Sequence, residues 1–141
     1  MLIAVRHYTK IQPETWADWP HFRPQELACR KTGRLTFDPA FLDTLERLRA
    51  LCGFPLVIGS GYRSPEHNVE VSDTGLDGAH TTGRAVDVTI YGDRAFTLVA
   101  HAISVGIRRI GIAQKGDLRS RFIHLDVVQD PAFPSPRVWS Y

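Results

Sequence analysis

The chain has 141 residues, 43% hydrophobic and 23% charged, with a formal net charge of +2 when its six histidines are counted as neutral. That is enough chain for one hydrophobic core without staples, and too little charge for a nucleic-acid binder, with no Lys/Arg run longer than two residues. Cys29 and Cys52 are too few for a disulfide framework and lack metal-ligand spacing, so they read as small buried hydrophobes.

Met1 to Val5 is apolar, but Arg6, His7 and Lys10 interrupt it before a leader's apolar region forms, and no stretch approaches the ~20 apolar residues of a membrane span. The expectation is a soluble chain made in the cytoplasm, folded as one domain over residues 1–141. Residues 1–23 carry Trp16, Trp19, Pro13 and Pro20 without a sustained period, and read as an arm wrapped on that domain. Pro24 to Cys29 suits a short helix ended by a turn at Gly33. Asp38-Pro39 then opens a clear helix, with aspartate at the N-cap and proline at N1. Phe41, Leu42, Leu45, Leu48 and Cys52 give it an apolar stripe, and Gly53 closes it.

Leu56-Val57-Ile58 reads as a buried strand running into Ser60-Gly61-Tyr62-Arg63, where Gly59 and Gly61 allow close approach of the backbone. Ser64-Pro65-Glu66 looks like a helix start, with His67 exposed on it, and Val71 to Gly78 is a polar loop. From Ala85 onward Val86, Val88 and Ile90 alternate with Asp87 and Thr89, the pattern of a strand with one apolar face and one working face. A second helix follows Tyr91-Gly92-Asp93, with Phe96, Val99, Ala100 and Ile103 expected as its buried stripe, His101 facing solvent and Gly106 after its end. Ile107 to Ala113 is strand-like, and Gln114 to Arg121 is a polar connection into an antiparallel neighbour. In that neighbour Ile123, Leu125 and Val127 alternate with Phe122, His124 and Asp126. The tail from Pro131 to Tyr141 is expected to be pinned to the core by Trp139. Strands linked by hairpins and by helical excursions indicate an α+β fold.

His80 precedes Gly83 on a loop entering the Asp87 strand, and His124 lies on a strand face of the same kind. Two imidazoles and a carboxylate form the open ligand set of a catalytic zinc, with a fourth position left for water. A histidine and an aspartate seven residues apart also occur without any metal. The runs Ser60-Gly61-Tyr62-Arg63-Ser64-Pro65-Glu66-His67-Asn68, Gly78-Ala79-His80-Thr81-Thr82-Gly83-Arg84-Ala85-Val86-Asp87 and Phe122-Ile123-His124-Leu125-Asp126-Val127 resemble the zinc D-Ala-D-Ala carboxypeptidase family, peptidase family M15, in its compact phage and bacterial branch. The resemblance covers roughly residues 24–139. It implies a small antiparallel sheet with flanking helices, one Zn2+ held by His80, Asp87 and His124, and Ser60 and Arg63 as substrate-binding residues. Arg63 on this reading takes a substrate carboxylate or carbonyl; the alternative is a surface arginine paired with Glu66.

The resemblance also implies a partner, the peptidoglycan stem peptide, cut at D-Ala-D-Ala or another bond by a monomeric enzyme. Without a leader, access to the wall would come through phage-type release or carriage in a virion. Many relatives place an acid three residues before the last histidine, where this chain has Arg121, and others use H-x-H, where it has Phe122. Asp126, on the His124 strand face, is then the candidate general base, or else a carboxylate that fixes the tautomer of His124. Asp117 is a weaker candidate. Asp18-Trp19-Pro20-His21 matches a D-x-x-H string of some relatives but precedes the other motifs instead of following them. The wider group includes the hedgehog signalling domain, which keeps such a metal site without evident peptidase activity. A zinc-stabilised binding or structural module is therefore the alternative function.

Overall fold

Seven strands and five helices follow one another along residues 1–141, all described by the computed structural model. Strand β1 (Ile3–Val5) pairs antiparallel with β2 (Leu35–Phe37) to form a two-stranded sheet. The short helices α1 (Pro13–Trp16) and α2 (Pro24–Leu27) lie between them, each opened by its proline at the first helical position. The indoles of Trp16 and Trp19 are buried edge-on against Phe37, at 5.1 and 5.6 Å between ring centroids. Each also satisfies its one polar atom: Trp16 Nε1 donates to the Phe22 carbonyl (2.7 Å) and Trp19 Nε1 to Asp43 Oδ1 (2.8 Å).

Helix α3 (Pro39–Cys52) forms as its sequence dictates: Asp38 accepts from Ala40 N at 3.0 Å, Pro39 occupies N1, and Gly53 ends it in the left-handed conformation at φ 73°. Its face of Phe41, Leu42, Leu45 and Leu48 is fully enclosed. Each such leucine contributes about 1.5–3 kcal/mol by leaving water. Asp38 also accepts from Arg84 Nε at 2.8 Å, which ties the start of the helix to the chain entering the main sheet.

That sheet comprises β3 (Val57–Ser60), β4 (Ala85–Thr89), β5 (Arg109–Ala113), β6 (Phe122–Asp126) and β7 (Arg137–Ser140) in the order β3-β4-β6-β5-β7. The first four are antiparallel, and β7 joins the edge parallel to β5. Helix α4 (Pro65–Val71) leaves β3, and α5 (Gly92–Ser104) packs on α3 and β6. Val86, Val88, Ile110, Ile123 and Leu125 face the helices, while the opposite face carries the polar side chains.

Three expectations need correction. The buried side of α5 is Ala95, Leu98 and Ala102; Phe96 is 80% exposed and Ile103 60%. Apolar residues cover more than half of this helix, so periodicity alone did not fix its rotation, and the small alanines allow the closer approach. The tail is likewise more than a pinned end, because residues 137–140 extend the sheet. His67, expected exposed, keeps only 17% of its side-chain surface.

Candidate metal centre

Antiparallel register aligns the polar face of the sheet in rows. One row runs Ser60, Asp87, His124, Gly111, Trp139, and the next runs Ala85, Asp126, Arg109, Arg137. Residues opposite one another on adjacent strands have Cβ atoms roughly 5 Å apart, so Asp87 and His124 are brought together by pairing alone.

His80 arrives from outside the sheet, on a 3-10 turn (Ala79–Thr82) closed by Gly83. Gly83 has φ 76°, and a Cβ there would lie 2.8 Å from the Thr36 carbonyl, so both conformation and space require glycine. The ring is set by Gly61, whose carbonyl accepts from His80 Nδ1 at 2.7 Å. Gly61 in turn lies flat on Leu27, where a Cβ would come within 2.5 Å of a backbone oxygen.

With Nδ1 engaged, His80 presents Nε2 to Asp87 Oδ1 at 3.2 Å. His124 is arranged the opposite way round: Nε2 donates to Asp126 Oδ2 at 2.6 Å and Nδ1 faces Asp87 Oδ1 at 2.9 Å. The outer nitrogen of each imidazole is thus occupied by an acceptor, and the inner ones converge with a carboxylate oxygen, all within 4.8 Å of one another. This is a fitting donor set for zinc: two nitrogens and one oxygen, tautomers fixed from behind, one side open. Burial opposes ionisation of Asp87, but hydrogen bonds from His124 and His80 outweigh it and hold its carboxyl far below the usual range. Burial disfavours the His124 imidazolium, yet hydrogen bonds to Asp126 and Asp87 outweigh that and raise its pKa.

The expected general base is placed otherwise. Asp126 has no exposed surface and does not line the cleft. Its oxygens accept from His124 Nε2, from Arg109 Nε at 2.9 and 3.1 Å, and from Val128 N at 3.1 Å. With every direction engaged, it fits the alternative of orienting His124. Asp117 caps the turn at 118–120 by accepting from Arg119 N, away from the cleft. His21 of the D-x-x-H string bonds Glu46 at 2.6 Å and belongs to the arm.

Arg63 sits beside the ligands, not with Glu66, which pairs with Arg34. Its Nε donates to Ser60 Oγ at 3.2 Å and its Nη1 to Asn68 Oδ1 at 3.1 Å, leaving Nη2 3.6 Å from Asp87 Oδ2. Ser60, expected at the substrate, stands behind Arg63 and does not line the cleft. Asn68 was not singled out from sequence; its signal was its place in the Ser60–Asn68 run, and it is buried while donating to Thr74 Oγ1 and the Gly75 carbonyl.

Trp139, expected to pin the tail to the core, packs on His124, ring centroids 5.2 Å apart. Its indole occupies the space that a Gly111 side chain would take, 2.7 Å from the position of a Cβ. Together these groups border an open cleft of about 460 Å³.

A model of the peptidase M15 family matches residues 20–126. The chain belongs to the peptidase M15 family. No curated protein and no solved structure matches it. The M15 match contains His80, Asp87, His124 and Arg63, whereas β7, with Arg137 and Trp139, lies beyond it.

Proposed function

We propose that this M15 chain is a zinc-dependent peptidase that hydrolyses a stem-peptide bond of peptidoglycan, D-Ala-D-Ala or another. The observation that carries the reading is the convergence of His80 Nε2, Asp87 Oδ1 and His124 Nδ1 on one open cleft beside a tethered guanidinium. Zinc bound there supplies Lewis-acid polarisation of a carbonyl and acidifies water to a pKa of about 7.

The protein residues do the rest. Asp126 and the Gly61 carbonyl hold the imidazoles in the tautomers that present lone pairs inward. Arg109, itself buried, pairs with both oxygens of Asp126 and so helps fix the carboxylate that orients His124. Arg63 is pre-oriented by Ser60 and Asn68, and its remaining N–H groups face the cleft, where they bind a substrate carbonyl or carboxylate.

A second reading, a zinc-stabilised wall-binding or structural module, is favoured by one observation. Besides the three ligands, no carboxylate or imidazole side chain lines the cleft, which leaves the Tyr141 phenol as the one other acid–base side chain of the kind that moves protons at a metal site. The test is mass spectrometry of fragments released from purified peptidoglycan by the zinc-loaded and the chelated protein. A defined new peptide terminus, lost on chelation and restored by zinc, is expected. Bound zinc with no release from walls of several chemistries would leave the binding module.

A further inference from the structure

Three guanidinium groups border the cleft, from Arg63, Arg109 and Arg137. Two are committed: Arg63 to Ser60 and Asn68, and Arg109 to Asp126 and the Pro134 carbonyl (2.6 Å). The side chain of Arg137 makes no hydrogen bond or ion pair, although its backbone is fixed in β7 by pairing with β5. It lies over the Trp139 ring, 5.5 Å from its centroid, and that ring packs at 5.2 Å on His124. Trp139 is itself seated in the space left by Gly111. A rigid aromatic step thus leads from a metal-ligand candidate to an unpaired cation. Among the side chains that line the cleft, Asp87 carries the only carboxylate, and the exposed Arg137 guanidinium is not paired with it.

We propose that Arg137 is a carboxylate-binding subsite, taking the free C-terminal carboxylate of the residue that leaves when the peptide is cut. This rests on the peptidase reading and selects carboxypeptidase action within it. Arg63 follows β3 at one edge of the sheet and Arg137 lies on β7 at the other, with Asp87 and His124 on the strands between. Two strand spacings, roughly 10 Å, separate β6 from β7, which suits a ligand of amino-acid to dipeptide size between the ligand row and the guanidinium. A planar guanidinium recognises a carboxylate through two parallel hydrogen bonds, and its stacking on indole leaves those donors free.

The experiment is calorimetric titration of the zinc-loaded protein with N-acetyl-D-alanyl-D-alanine and with its C-terminal amide, for wild type, R137Q and R137K. Turnover of both peptides is measured on the same samples. Wild type should favour the acid, R137Q should lose about tenfold or more of acid affinity with the amide unchanged, and R137K should fall between. R137Q binding the acid as wild type does, or losing acid and amide alike, would overturn the subsite, as would absence of discrimination by wild type. Discrimination that depends on Arg137 without turnover would uphold the subsite and remove cleavage of the D-Ala-D-Ala bond, so the two fail separately.

Discussion

Asp87 and Asp126 project from the same face of neighbouring strands, yet their surroundings give them different work. Asp87 faces two imidazoles across an open cleft, whereas Asp126 is enclosed between His124 and Arg109. Replacing Asp126 by Asn should therefore weaken zinc binding about 10- to 100-fold, as loss of an orienting partner does. It should also cost about 3–5 kcal/mol, because Arg109 is left buried without its counter-charge. A zinc competition titration and a denaturant melt of D126N measure both; unchanged zinc affinity and stability with turnover abolished would restore the general base. Arg63→Lys keeps the charge but not the two tethers, and should lower kcat/KM by about 10² with zinc content intact, checked on a released-product assay. The pH response follows from the same contacts. His124 is raised when metal is absent, so its contribution to stability is full below about pH 6.5 and is lost as pH rises through the folded value. Zinc competes with protons for the same nitrogens, so its stabilisation grows as pH rises. The Tm of the metal-free protein should fall between pH 6 and 9 while the gain on adding zinc increases; parallel profiles would contradict this.

At the scale of elements, the sequence was most legible where a local signal has one structural solution. Asp38-Pro39 with Gly53 bounds α3, and the alternation of Ala85–Thr89 and Phe122–Asp126 gives two strands whose polar residues share a face. It was least legible where tertiary context decides. Helix α5 has apolar residues on two sides, and only packing chose Ala95, Leu98 and Ala102. Strand β7 follows a proline-containing tail, and its Trp139 is seated in the vacancy at Gly111, which is far away in sequence and visible only in the fold. Leu98→Ala should thus cost about 2–5 kcal/mol in a urea melt, while Phe96→Ser should change stability by no more than about 0.5 kcal/mol. The reverse order would show the helix rotated to the face its periodicity suggested. Of the site, the three ligands and Arg63 were readable as motif positions. The partners that orient them, Gly61 for His80 and Asn68 for Arg63, were not, because their contribution is a distance and not a residue type.

For the molecule as a whole, the candidate metal centre lies where the arm, the loop 78–83 and the central strands meet, the arm and the strands also sharing one hydrophobic core. His80 is held through Gly61 to Leu27, Gly83 lies against the Thr36 carbonyl, and the other two ligands belong to the central strands β4 and β6. An ion held at this junction would stabilise the loop 78–83, the arm behind it and the sheet together, by an amount that grows with the logarithm of its concentration over its Kd. The most direct test of the account is the zinc stoichiometry and affinity of the metal-stripped protein beside His80→Ala, Asp87→Ala and His124→Ala, each with a thermal melt. One zinc per chain in wild type, raising Tm, with each substitution removing tight binding, is the predicted result. Stoichiometric tight zinc retained by any of the three variants, or none bound by wild type, would contradict the centre assigned to His80, Asp87 and His124.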